Sequence, residues 1–116
     1  GPWIMISAGI CRGRKMTAYL IVRAQVDQSV RDQFDIWYRD EHLPDACKAF
    51  SPLSAKRGWS ELEDSVHIAF YEFPSLEAAN QVMGSDKIAA LIKEFDHHWH
   101  GKVTRTREVV ECIQKI

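Results

Sequence analysis

The run Trp37-Tyr38-Arg39-Asp40-Glu41-His42-Leu43-Pro44-Asp45 places acidic side chains, a histidine and two aromatics within nine residues. Glu41 and His42 are side-chain types suited to proton transfer, and Trp37 and Tyr38 can wall an apolar or aromatic ligand. Pro44 is expected to stop the helix, so that its last turn faces a loop or the mouth of a pocket. An amphipathic helix with a polar C-terminal end carries the same residue types, so the surrounding elements must decide between the two readings.

A second cluster, His97-His98-Trp99-His100, ends another helical pattern. Projecting from Ile88, Leu91, Ile92 and Phe95 puts Trp99 at the centre of the buried stripe, His98 at its edge and His97 opposite. His98 is therefore a candidate second polar group beside His42. Histidines at i, i+3 do not match the i, i+4 or H-E-x-x-H spacing of a zinc site, and no metal is expected.

Cys11, Cys47 and Cys112 are dispersed and odd in number, which gives neither a disulfide framework nor a cysteine-rich zinc site and fits a reducing cytoplasm. Cys47 is a candidate nucleophile by type, but with nothing in the sequence to lower its pKa it reads rather as a small buried residue.

These groups need a scaffold. Ala18 to Val26 alternates as a strand, with Leu20, Val22, Ala24 and Val26 on one side and Tyr19, Ile21, Arg23 and Gln25 on the other. Asp27 or Ser29 can cap a helix reaching about His42, whose apolar stripe runs through Val30, Phe34 and Trp37. Continuing the 100° step places Glu41 near that stripe and His42 on its flank. A carboxylate there would be desolvated and able to accept a proton or orient His42.

Strands follow at about Ser54 to Ser60 and Val66 to Phe73. Arg57 and Trp59 share one face of the former, and His67 and Tyr71 one face of the latter. Helices capped by Ser75 and by Ser85 or Asp86 are separated at Gly84, the second closing at Gly101. A last strand runs from Val103 to about Ile113, with Arg105, Arg107 and Val109 on one side. Arg57, Arg105 or Arg107 can bind a carboxylate through the guanidinium fork, though charged residues on an exposed strand look the same in sequence.

The order β-α-β-β-α-β predicts an α+β, ferredoxin-like domain: a four-stranded antiparallel sheet with helices on one face. Apolar residues on both sides of the strands leave a second face that a partner should bury. The simplest partner is a second copy, sheet against sheet, giving a homodimer. At 116 residues there is room for one core, and a formal charge of −1 provides no footprint for nucleic acid or an anionic membrane. No run of about 20 apolar residues is present. Gly1-Pro2 reads as a tag remnant, with residues 1–15 a remnant or extension and 16–116 the domain. No phosphate loop, nucleophile elbow or dinucleotide fingerprint appears, so a nucleotide cofactor is not expected.

From Met16 to Ile113 the chain resembles the dimeric α+β barrel proteins, in particular the EthD-like branch. The resemblance rests on strand order, on Trp37-Tyr38 followed by Glu41-His42-Leu43-Pro44, and on the Met83-Gly84-Ser85-Asp86 break before Phe95 and Trp99. The pattern is similar to methylmuconolactone isomerases, cyclases of the olivetolic acid cyclase kind and small monooxygenases. The resemblance implies a homodimer with one pocket per subunit, often with no metal, and it promotes His42, since a histidine before a proline often stands there; no cofactor is expected. The expected activity is isomerisation, cyclisation or oxygen addition on a small cyclic or aromatic metabolite. His42 is the base or acid, Glu41 and His98 assist, and Trp37, Tyr38, Arg57, Trp59, Tyr71 and Trp99 contact the ligand. The alternative is a non-catalytic dimer that binds a small ligand.

Overall fold

A computed structural model describes residues 16–116; the expectations for residues 1–15 and Cys11 lie outside them. Four strands, β1 (Ala18–Val26), β2 (Ser54–Trp59), β3 (Val66–Phe73) and β4 (Val103–Glu111), form one antiparallel sheet in the order β2-β3-β1-β4. This is the expected ferredoxin-like arrangement, with β2 and β4 at the edges.

The register fixes the composition of each face. Leu20 lies opposite Tyr71 and Val109, Val22 opposite Ala69 and Arg107, and Ala24 opposite His67 and Arg105. Because side chains alternate along a strand, this set and the β2 residues Ala55, Arg57 and Trp59 project toward the helices. Leu20, Ala24, His67, Ala69 and Tyr71 are buried there. The other face keeps Ile21 and Ile68 half-buried and leaves Phe70 and Val110 exposed. The apolar second face expected from the alternation is thus present.

Chain entry into the first helical layer begins at Asp27, whose carboxylate accepts from the Ser29 backbone N–H at 2.9 Å and caps a short 3₁₀ turn, Gln28–Val30. The helical rod continues as α1 (Arg31–Trp37), a π-helical turn (Tyr38–His42) and α2 (Leu43–Phe50). Pro44 therefore does not end the helix at His42, contrary to the expectation. The π turn hands Leu43 N–H to the Tyr38 carbonyl, five residues back, and Pro44 falls directly after it, in the first turn of α2. The rod ends at Phe50, followed by Ser51 in the left-handed region with its N–H on the Cys47 carbonyl at 2.9 Å.

Two further helices, α3 (Leu76–Met83) and α4 (Asp86–Trp99), break at Gly84 as expected and are capped by Ser75 and Ser85. Gly101, at φ 79°, supplies the left-handed step that turns α4 into β4. Phe34, Trp37, Tyr38, Ala46, Ala79, Ile88, Phe95 and Trp99 close the core over the inward sheet face. Among the described residues, no helix is long and apolar enough to cross a membrane.

Candidate functional site

His42 is buried, with 7 % exposure, while Glu41 is exposed. This reverses the helical projection, for a mechanical reason. A π turn inserts one extra residue, so the apolar stripe through Phe34 and Trp37 passes next through residue 42 rather than 41. The expectation of a desolvated Glu41 is corrected accordingly.

The imidazole of His42 stacks on Trp37, with ring centroids 4.8 Å apart and planes 21° from parallel, and meets Tyr38 at 4.8 Å and Phe95 at 5.4 Å edge-on. Its Nδ1 is buried without a protein hydrogen-bond partner. Burial, then the nearby Arg105 and His98, push the His42 pKa down to about 4. The ring is neutral at physiological pH, held so chiefly by desolvation and then by the Arg105 guanidinium.

The histidine borders a narrow cleft between the inward sheet face and the helices, enclosing about 30 Å³. Tyr38 and Tyr71 form one wall, their hydroxyls 2.9 Å apart, and burial raises the Tyr38 pKa to about 12 and that of Tyr71 well above its usual value. Both phenols stay protonated, and of two paired hydroxyls one keeps a proton free to donate outward. Leu20, Val22, Phe50, Ile88, Leu91, Ile92 and Phe95 line the remainder with Arg105 and Arg107. The Arg105 side chain is only 9 % exposed; its guanidinium covers the Phe95 ring at 3.6 Å and donates to Asp96 at 2.9 Å.

Other residues singled out in the sequence sit elsewhere. Trp37 and Trp99 are buried 5.5 Å apart, outside the cleft wall, Trp37 backing His42. His98 is exposed, its ring 5.1 Å from Trp37, and does not line the cleft. Arg57 and Trp59 belong to a separate cluster: Asp35 Oδ1 accepts from Arg57 Nη1 at 2.8 Å and from Trp59 Nε1 at 2.9 Å. Arg57 Nη1 also lies 3.3 Å from Nε2 of His67, which must be the acceptor because a guanidinium only donates. Burial and Arg57 push the His67 pKa down to about 4. The Tyr38 ring stands between the two histidines, 4.5 Å from His67. Among the described residues, no three His, Cys, Asp or Glu side chains converge as a metal ion would need.

His67, Asp35 and Arg105 were not among the foremost sequence candidates. The alternation of β3 and β4 places His67 and Arg105 on the inward face, but only the shared register with Ala24 brings them to the same layer.

No protein-family model matches the chain. No curated protein matches it. Solved structures do. An EthD family protein from Bacillus halodurans superposes with a TM-score of 0.61 at 17% identity, covering 78% of this chain and 96% of that one. The chain shares the ferredoxin-like α+β fold of that EthD protein. SnoaB of Streptomyces nogalater, a cofactor-independent oxygenase, matches over 87% of this chain and 97% of its own with a TM-score of 0.61 at 8% identity. HapK of Hahella chejuensis matches over 84% and 94% with a TM-score of 0.63 at 13% identity. At such identities the common property is the fold, and the chemistry must be argued from the cleft.

Proposed function

We propose that this chain is a cofactor-independent enzyme acting on a small cyclic or aromatic carbonyl compound, with His42 as the proton acceptor. The observation that carries the reading is His42 itself: a neutral, buried imidazole with an unpartnered Nδ1, beside the Tyr38–Tyr71 hydroxyl pair and Arg105. A C–H bond next to the carbonyl breaks, its proton goes to the imidazole, and the electron pair moves to the carbonyl oxygen as an enolate. The free phenolic proton stabilises that oxygen. Reprotonation at another carbon gives isomerisation, attack on a second carbonyl of the same molecule gives cyclisation, and reaction with dioxygen gives oxygen addition. An imidazole with a pKa near 4 is a weak base, but the negative charge of a forming enolate raises it during the step. The cofactor-independent oxygenase on the same fold supports the class of chemistry.

Deuterium uptake from solvent into the carbonyl-adjacent positions of a panel of cyclic ketones and acyl phenols, followed by mass spectrometry, tests this. His42→Ala should slow exchange by about 10²- to 10⁴-fold. Equal exchange by the variant would sink the assignment.

A second reading, a non-catalytic ligand-binding protein, is favoured by the exposed His98, which leaves His42 without the second histidine expected beside it; under either reading the walls must move outward to admit a ring, because the cleft encloses only about 30 Å³. Under that reading the panel binds with no exchange.

The protein is proposed to act as a homodimer, joined through the apolar outer sheet face around Ile21, Ile68, Phe70 and Val110. Light scattering should give twice the 13.3 kDa chain mass, and Phe70→Glu should halve it. A wild-type monomer at micromolar concentration overturns the dimer.

A further inference from the structure

The cleft carries positive charge that nothing within it neutralises. Arg105 and Arg107 lie two residues apart on β4, opposite Ala24 and Val22, and both line the cleft, Arg107 at the sheet edge where it also borders the outer face beside Ile21 and Phe70. No Asp or Glu lines this cleft. Arg105 donates outward to Asp96, a carboxylate whose own side chain is 62 % exposed, and that surface pair is weakened by solvent screening. Arg107 is half-buried and has no ion-pair partner among the described residues. His42, buried opposite with an unpartnered Nδ1, completes a set of nitrogen groups with no anion among them.

We infer that the cleft selects a ligand bearing a carboxylate, which Arg105 and Arg107 hold at the β4 side while its ring or chain lies toward His42 and the tyrosine pair. This rests on the reading of the cleft as a ligand site and names the class of ligand. Guanidinium groups match a carboxylate through paired N–H donors, and an anion between them removes the repulsion that helps lower the Arg105 pKa. A bound carboxylate also reverses the field at His42. The ligand's charge thus makes the imidazole a stronger base when the ligand is present.

Binding rather than turnover tests this. The full chain is titrated with acetate, benzoate and salicylate, and in parallel with acetamide, benzamide and salicylamide. Chemical shifts of the histidine ring protons and tryptophan indole N–H groups are followed by NMR, which detects millimolar affinities. At least one carboxylate should bind about tenfold or more tightly than its amide and raise the His42 pKa by about one unit or more. Arg107→Gln should weaken that carboxylate by about 10- to 100-fold while leaving the amide unchanged, and Arg107→Lys should recover much of the loss.

The inference is overturned if amides bind as tightly as carboxylates, if no carboxylate binds, or if Arg107→Gln leaves binding intact while its thermal melt shows a folded protein. A misfolded Arg107→Gln variant leaves the carboxylate–amide comparison on the wild type to decide. Carboxylate binding without deuterium exchange would refute the catalytic reading alone. Exchange on neutral ketones without carboxylate preference would refute this inference alone.

Discussion

Two buried histidines on either side of the Tyr38 ring differ in one respect. His67 Nε2 has a donor in Arg57, and Arg57 and Trp59 converge in turn on Asp35; the buried Nδ1 of His42 has no partner in the protein. Both rings are neutral, with pKa values pushed down to about 4 chiefly by burial. Burial and titration therefore do not separate them, whereas hydrogen-bond accounting does. A partnered polar cluster stabilises the fold around it, and an unpartnered buried nitrogen beside a cleft is a cost to the fold that a ligand can offset.

The largest effect should be the one the two histidines share. Each binds a proton near pH 6.5 when unfolded and only near pH 4 when folded, so the unfolded state holds more protons between those values. Their contribution is fully present above pH 6.5, is lost as pH falls, and levels off below about 4. Each is worth up to about 3 kcal/mol across that window. Asp35, whose carboxyl is held low first by its hydrogen bond from Arg57 and then by Trp59, contributes in a lower window, below its ordinary value of 3.8. Urea denaturation at pH 7.5 and pH 4.5 should show a drop of several kcal/mol, and replacing either histidine should remove about half of it. An undiminished drop in both single variants would assign the acid sensitivity to other groups.

The next effect separates the two rings by sign. His42→Phe keeps a flat ring against Trp37 and removes the orphaned nitrogen, so it should raise stability at pH 7.5 by about 1 kcal/mol while abolishing deuterium exchange. His67→Phe keeps packing against Phe34 and Trp59 but takes the acceptor from Arg57, and should lower stability by about 1 kcal/mol. Chemical denaturation of both proteins decides. The same sign in both would mean that the hydrogen-bond difference does not govern their roles.

Much of this was legible from residue order, and what was not has a definite cause. Strand alternation has period two and is read locally, so the two residue sets of β1, β3 and β4 and an apolar second face follow from it, and the element order adds the sheet with its helices on one side; which set faces the helices is decided only by packing, which leaves Phe70 outside. Helical phase accumulates. One inserted residue between Tyr38 and His42 turns everything after it by about 100°, and residue types do not announce a π turn. Pro44 is the available signal: by type it reads as a stop, whereas in the fold it stands at the start of a new helical register. The Asp35–Arg57–His67 cluster was illegible for another reason: it joins α1, β2 and β3, and its members meet only through tertiary packing.

That phase shift provides the smallest and sharpest test. If the rod were a continuous α-helix, position 41 would face the core beside Phe34 and Trp37, and Glu41→Leu would replace a buried carboxylate with apolar bulk, stabilising the protein by about 1–2 kcal/mol. With the π turn, Glu41 faces solvent and the same change should leave stability within about 0.5 kcal/mol. The urea midpoint of Glu41→Leu against wild type at pH 7.5 distinguishes the two geometries. A clear gain would return Glu41 to the core and His42 to the flank, and the contrast between the two histidines would lose its structural basis.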